Sequence, residues 1–160
     1  MTIHLGDKLP SATLTTMTAE GPKPLTTSEL CEGKKVVLFA VPGAFTPTCS
    51  VQHLPGYVEN AQSFKDKGVD TVACVSVNDP FVMGAWGKDR EVGENLMMLS
   101  DGNGDFTAAI GLEMDGSGFG LGTRSQRYAM IVDDGVVSTL NVESGPGLDV
   151  SSAETILSEL

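Results

Sequence analysis

Cys49 stands in the stretch PGAFTPTCS, residues 42–50, three positions after Thr46 and two after Pro47. Thr as N-cap with Pro at the first helical position is a helix start. Cys49 then falls at the third helical position, where free N–H groups and the positive end of the helix dipole lie close to its sulfur. That environment favours thiolate, the nucleophilic form of a cysteine. A free thiol is only a few per cent ionised at neutral pH, and making thiolate the major form takes a bias of about 2.7 kcal/mol. A helix dipole supplies about 0.3–1 kcal/mol at an exposed site and up to ~2 in a good one. A nearby cation is therefore needed as well.

Two arginines could supply it, Arg124 and Arg127, and their spacing alone does not choose between them. His53 is four residues after Cys49, on the same face of a continuous helix. A Cys/His pair invites a thiol-protease reading, but that chemistry also wants a third group orienting the imidazole. His53 is read here as a structural or supporting group. Cys74, inside the apolar run VACVSV, and Cys31, at the end of TTSELCEG, are read as packing thiols. Three cysteines without a CxxC pair, and two histidines without ligand spacing, point to no zinc site and no disulfide framework. The loop DGSGFGLGT, residues 115–123, is not GxGxxG and follows no strand, so no dinucleotide cofactor is expected.

The elements that must hold Cys49 are legible around it. Val36–Val41 is an apolar run fit for a central strand covered on both faces. The helix that opens at Pro47 carries Leu54, Val58, Ala61 and Phe64 at helical spacing, and Lys65, Lys67 and Gly68 end it. Pro55 should kink it or begin a second segment. Residues 69–77 read as a second buried strand. Asn78-Asp79-Pro80 then caps a helix bearing Phe81, Val82, Ala85 and Trp86. Leu96–Ser100 is a short strand, and DGNGD turns into a brief helix, Phe106–Ile110. Residues 127–132 and 136–142 flank Asp133-Asp134-Gly135, a hairpin turn. Ser151-Ser152-Ala153-Glu154 is a capping box for the last helix. Residues 1–26, with Pro10, Pro22 and Pro24, suit short edge strands. The order implies an α/β fold with a mixed sheet flanked by helices, in one domain spanning 1–160.

Composition narrows the function classes. The 160 residues carry 21 acidic and 10 basic side chains, a formal net charge of −11. With no basic patch, neither nucleic acid nor an anionic membrane is an expected partner. The longest apolar run is far short of a membrane span. Free thiols fit a reducing compartment, so a cytoplasmic location is expected, a mature organellar form being the alternative.

The run Pro42-Gly43-Ala44-Phe45-Thr46-Pro47-Thr48-Cys49 resembles the peroxiredoxin signature Pro-x-x-x-Thr-x-x-Cys. The wider blocks VVLFAVPGAFTPTCSVQHLPGYVENA and SVNDPFVMGAWG resemble the atypical type II, peroxiredoxin-five-like subfamily. So do GDKLP, RYAMIVDDGVV and LNVE, so the likeness runs nearly end to end. The resemblance implies a thioredoxin-like fold and a peroxidase that reduces hydrogen peroxide and organic hydroperoxides without metal or other cofactor. It implies Cys49 as the attacking thiolate, Thr46 orienting the peroxide, Pro42 shielding the sulfur, and Arg127 rather than Arg124 as the cation. Gly43 and Phe45 join Thr46 around the substrate, with the amides near Gly43 and Cys49 stabilising the peroxide oxygens. Phe45, Phe81 and Trp86 could be plain core, but the resemblance implies that they border the active site at a homodimer face. Some members of the subfamily resolve the oxidised thiol with a C-terminal cysteine, but GLDVSS, residues 147–152, has none. Glutathione with glutaredoxin is then the first choice of reductant and thioredoxin the second. The competing class is a redox sensor or chaperone whose cysteine is oxidised once and slowly recycled.

Overall fold

The computed structural model describes residues 2–160. Its centre is a seven-stranded sheet of β1 (Thr13–Thr18), β2 (Gly21–Thr26), β3 (Lys35–Ala40), β4 (Thr71–Ser76), β5 (Met97–Ser100), β8 (Tyr128–Asp133) and β9 (Val136–Val142). The spatial order is β2-β1-β5-β4-β3-β8-β9. β3 and β4 pair in parallel, as do β4 and β5, while β8 and β9 run antiparallel beside β3 and the β1–β2 hairpin closes the other edge. The sheet is mixed, as the alternation of strands and helices implies. Two further short strands, β6 (Glu113–Asp115) and β7 (Thr123–Ser125), form a separate hairpin around the glycine-rich stretch that reads as a plain loop in the sequence.

Side-chain alternation along β3 sends Val37, Phe39 and Val41 to one face and Val36, Leu38 and Ala40 to the other, each into its own core. The first face packs against α2 (Leu54–Glu59), α3 (Ala61–Asp66), α4 (Pro80–Asp89) and α6 (Ala153–Ser158) through Leu54, Tyr57, Phe64, Met83, Trp86 and Ile156. The second packs against α1 (Thr27–Cys31) and α5 (Asp105–Ile110) through Leu30, Phe106 and Ile110. Each large apolar side chain so buried contributes about 1.5–3 kcal/mol. Phe39 stacks on Tyr57 at 3.9 Å and Tyr57 on Phe64 at 5.6 Å, which fixes α2 and α3 against β3.

Several local expectations hold. Asp79 caps α4 by accepting from Val82 N at 2.8 Å. Asp134 and Gly135 both have positive φ, 48° and 82°, the requirement of a two-residue hairpin turn between β8 and β9. Two expectations are corrected. The N-cap of α6 is Ser152, which accepts from Thr155 N, because the Ser151 hydroxyl is already committed to Glu143. The segment from Pro47 is also not one α-helix kinked at Pro55. Residues Cys49–His53 form a π-helical turn, with Leu54 N donating to Cys49 O. Pro55 falls in the first turn of α2, where a missing N–H costs nothing, so it begins a second segment, one of the two outcomes expected of it, and a further break, not expected, comes at Asn60.

Candidate active site

The site begins where β3 ends. Ala40 is paired with Tyr128, so the chain leaves the sheet at Val41 and Pro42 beside the residue that precedes β8, Arg127. Parity decides which arginine can reach inward. Ala129 and Ile131 of β8 face the core layer that holds Cys49, and Arg127, two residues before Ala129, continues that alternation. Arg127 is itself buried. Its Nη2 donates to Cys49 Sγ at 3.2 Å, and Nη1 donates to His53 Nδ1 at 2.9 Å. Arg124, on the small β7 strand, instead donates from Nη1 to Pro42 O at 3.2 Å and from Nε to Leu121 O at 3.0 Å. It braces the loop that carries Pro42.

The turn before Cys49 is tightly held. Thr46 Oγ1 donates to Gly43 O at 2.7 Å, and Ala44 N donates to Asn78 Oδ1 at 3.0 Å. Thr46 occupies the N-cap position, its carbonyl accepting from Ser50 N at 2.9 Å. Its hydroxyl proton, however, closes the 43–46 turn, a use the helix-start pattern does not reveal. Phe45 has φ of 65°, a left-handed conformation rare outside glycine, and such strain costs about 1–3 kcal/mol. A Cβ at position 43 would approach Arg124 Nη1 to 3.0 Å and Thr46 Cγ2 to 3.1 Å, so any larger residue there would press on the two side chains that brace this turn.

His53 is neutral and occupied. Its Nε2–H must donate to the Ser151 carbonyl at 3.0 Å, because a carbonyl can only accept. Nδ1 is then the lone pair that receives Arg127. Burial, and next the adjacent guanidinium, push its pKa down to about 3. A general-base role is thereby closed, and His53 becomes a fixed acceptor that aims the arginine. Tyr57 Oη donates to the same Ser151 carbonyl at 2.7 Å. Ser151, in turn, is held by Glu143, whose carboxylate accepts from the amides of Asp149, Val150 and Ser151 and from Ser151 Oγ. Sequence reading passes over Glu143 and Ser151, since nothing local marks an acid at a strand end as the anchor of a loop six residues on.

A cavity of about 730 Å³ opens over this group, with Pro42, Thr46, Pro47, Met114, Phe119, Leu121, Arg127 and Pro146 among its walls. The β6–β7 hairpin thus forms one side of the entrance. Cys49 lies buried behind Pro42, Thr46 and Arg127. The remaining thiols sit elsewhere. Cys31 belongs to the opposite core layer, where burial raises its pKa to about 11. Cys74 lies mid-strand in β4 within the layer of Cys49, and burial together with that second thiol raises its pKa well above the ordinary value. Among the described residues no group of three or more His, Cys, Asp or Glu side chains could hold a metal ion, and no helix is long and apolar enough to cross a membrane. Phe45 and Phe81 are 51% and 65% exposed, but Trp86 is 0% exposed. Of the two readings of Trp86, core is the one its burial bears out: its indole N–H donates to buried Ser50 at 2.9 Å, next to Cys49.

A thioredoxin-like α/β sheet that offers a buried cysteine to a buried arginine at a helix start defines a thiol-redox protein. Residues 4–157 match the Redoxin family. The chain is 52% identical to the chloroplastic peroxiredoxin-2E of Arabidopsis thaliana, over 99% of its own length and 69% of that protein's. It is 49% identical to peroxiredoxin-2B of the same plant, over 99% and 98% of the two chains. Among solved structures it is similar to reduced Prx3 from Vibrio vulnificus in complex with hydrogen peroxide, with 59% identity, 98% of each chain covered and a TM-score of 0.95. The chain belongs to the Redoxin family, as a peroxiredoxin, and is a thiol-dependent peroxidase. Its further likeness to peroxiredoxin-five proteins agrees with the atypical type II resemblance of the motif.

Proposed function

We propose that Cys49 is the peroxidatic thiol, with Arg127, Thr46 and Pro42 completing the catalytic group and Gly43 and Phe45 beside the substrate. The observation that carries this reading is the 3.2 Å bond to Cys49 Sγ from Nη2 of Arg127, a residue that lines the cavity. A guanidinium donating to sulfur favours the thiolate, and its planar fork leaves donors for a peroxide oxygen. The thiolate attacks one peroxide oxygen in line. The S–O bond forms as the O–O bond breaks, the departing oxygen takes a proton and leaves as water or alcohol, and Cys49 becomes a sulfenic acid. Thr46 donates its proton to Gly43 O, so its oxygen lone pairs are free to accept from the peroxide O–H and hold it beside the sulfur. Backbone amides near Gly43 and Cys49 stabilise charge on the peroxide oxygens, and Pro42 keeps bulk water from the sulfur.

Resolution then falls to an external thiol. Cys31 lies in the other core layer and Cys74 on a buried central strand, which supports a partner that enters from solvent. A small thiol attacks the sulfenic sulfur, water leaves, and a mixed disulfide forms that a second thiol clears. Glutathione with glutaredoxin is the favoured pair and thioredoxin the second. Exposed Phe45 and Phe81 support a homodimer face, the single domain carries the whole site, and three free thiols fit a reducing, cytoplasmic setting. The test is mass spectrometry after one equivalent of peroxide with glutathione present. The expected product is a glutathione adduct on Cys49, and the Cys31→Ser, Cys74→Ser double variant turns over. A Cys49–Cys74 or Cys31–Cys49 disulfide as the main product, with a double variant that no longer turns over, overturns the reductant assignment.

A further inference from the structure

We propose that Glu143 is a positioning residue for the Arg127–Cys49 pair, acting through the Ser151 carbonyl and His53. The inference rests on the reading of Cys49 as the peroxidatic thiol. Glu143 follows directly on β9, and its own amide donates to Arg127 O at 2.9 Å, so its backbone is tied to the arginine it serves. One carboxylate oxygen, Oε2, accepts from Asp149 N and Val150 N at 3.0 Å each, from Ser151 N at 2.8 Å and from Ser151 Oγ at 2.6 Å. Three consecutive amides converge on one atom. Between Glu143 and that turn the chain runs through Ser144-Gly145-Pro146-Gly147, all exposed. The other ties on the segment are Asn141 Nδ2 to Val150 O and Thr155 Oγ1 to Asp149 O.

What the turn presents inward is the buried Ser151 carbonyl. It accepts both Tyr57 Oη and His53 Nε2–H, and it thereby sets the only tautomer in which Nδ1 can receive Arg127. The bonds from the Ser151 carbonyl inward through His53 and Arg127 to Cys49 are all buried, where one displaced partner orphans the next, and the half-buried Glu143 carboxylate holds the outer end of that chain. If the 149–151 turn relaxes, His53 loses the acceptor that orients its ring, and Arg127 loses the acceptor that aims Nη2 at sulfur. Glu143 also lines the cavity along with Gly145 and Pro146, so the same side chain bounds the space where peroxide and reductant must enter.

The test is a double-mutant cycle between Glu143→Gln and His53→Gln, each variant checked for native folding by circular dichroism. Oxidation is followed by the fluorescence of Trp86, the one tryptophan, which is bonded to the residue after Cys49. Mass spectrometry first confirms that Cys49 of the parent protein is the residue oxidised. If it is not, the reading beneath the proposal fails and the proposal falls with it. Expected is a loss of roughly fivefold or more in the oxidation rate for Glu143→Gln, part of which the conservative Glu143→Asp restores. In the His53→Gln background the same substitution should change the rate by less than about twofold, because its effect passes through the histidine. Should Glu143→Gln fail to fold, Ser151→Ala removes only the hydroxyl donor and should give a smaller loss with the same dependence on His53. Rates within about twofold of the parent, or a full loss that persists without His53, overturn the proposal while leaving Cys49 as the peroxidatic thiol.

Discussion

Replacing Arg127 with alanine removes two bonds at once, the 3.2 Å donor to Cys49 Sγ and the 2.9 Å donor to His53 Nδ1. The first bears on rate. A charged donor to a buried acceptor is worth about 1.5–3 kcal/mol, which corresponds to roughly a 10- to 100-fold slower oxidation if the bond is kept in the transition state. The second bears on stability. His53 Nδ1 would be left buried without a donor, at a cost of about 1–3 kcal/mol unless water fills the space left by the guanidinium. Arg124→Ala is the internal control. It releases the carbonyls of Pro42 and Leu121, which face the loop, and leaves the sulfur's own partner in place. Stopped-flow Trp86 fluorescence after a peroxide pulse gives the oxidation rate, and urea unfolding gives the stability. Expected is at least a tenfold rate loss for Arg127→Ala, about 1.4 kcal/mol, against a loss of threefold or less for Arg124→Ala. Arg127→Lys should recover only part of the rate, because one ammonium cannot span both Sγ and Nδ1 as the fork does. An Arg127→Ala rate within threefold of the parent, or an Arg124→Ala loss larger than that of Arg127→Ala, would refute the assignment.

Cys49→Ser should abolish peroxide consumption in a coupled thiol assay while Cys31→Ser and Cys74→Ser each keep most of it; substantial turnover by Cys49→Ser would end the mechanism. His53 gives a pH signature in stability. Its folded pKa of about 3 lies below the ~6.5 of the unfolded chain, so above pH 6.5 both states are neutral and its contribution is flat. As pH falls towards 3 the unfolded state takes up a proton the folded state refuses, and stability drops by up to about 1.4 kcal/mol per unit, about 1.7 kcal/mol between pH 6.5 and 5. Urea melts across that interval should show this slope in the parent and lose most of it in His53→Gln; equal slopes would mean that His53 takes up its proton in the folded state. A homodimer formed through the Phe45 and Asn78–Trp86 region should be dispersed by Phe81→Asp, whose parent side chain is 65% exposed. Sedimentation that finds a fully active monomer at high concentration counts against the interface.

The sequence by itself determined the elements and the chemistry of one residue. Apolar runs announce β3 and β4 because strands covered on both faces must be apolar throughout, and Thr46-Pro47 announces a helix start with Cys49 two residues inside it. Asp134-Gly135 announces its turn because few residue pairs tolerate positive φ twice in succession. Tertiary structure decided everything that depends on which strands meet. The choice of Arg127 over Arg124 follows from the antiparallel pairing of β3 with β8 and from side-chain parity, a register that no local pattern encodes. Pro55 announces the start of α2, but neither the π-helical turn at Cys49–His53 nor the break at Asn60 has a mark in the local sequence. The sequence leaves Trp86 open between core and a dimer face, and only the packing of α4 onto the core beside Ser50, at 0% exposure, decides for the core. Glu143, Ser151 and His53 meet over separations of 8 to 98 residues, and hydrogen bonds between groups so far apart exist only once folding has brought the end of β9 and the segment before α6 against the π-helical turn.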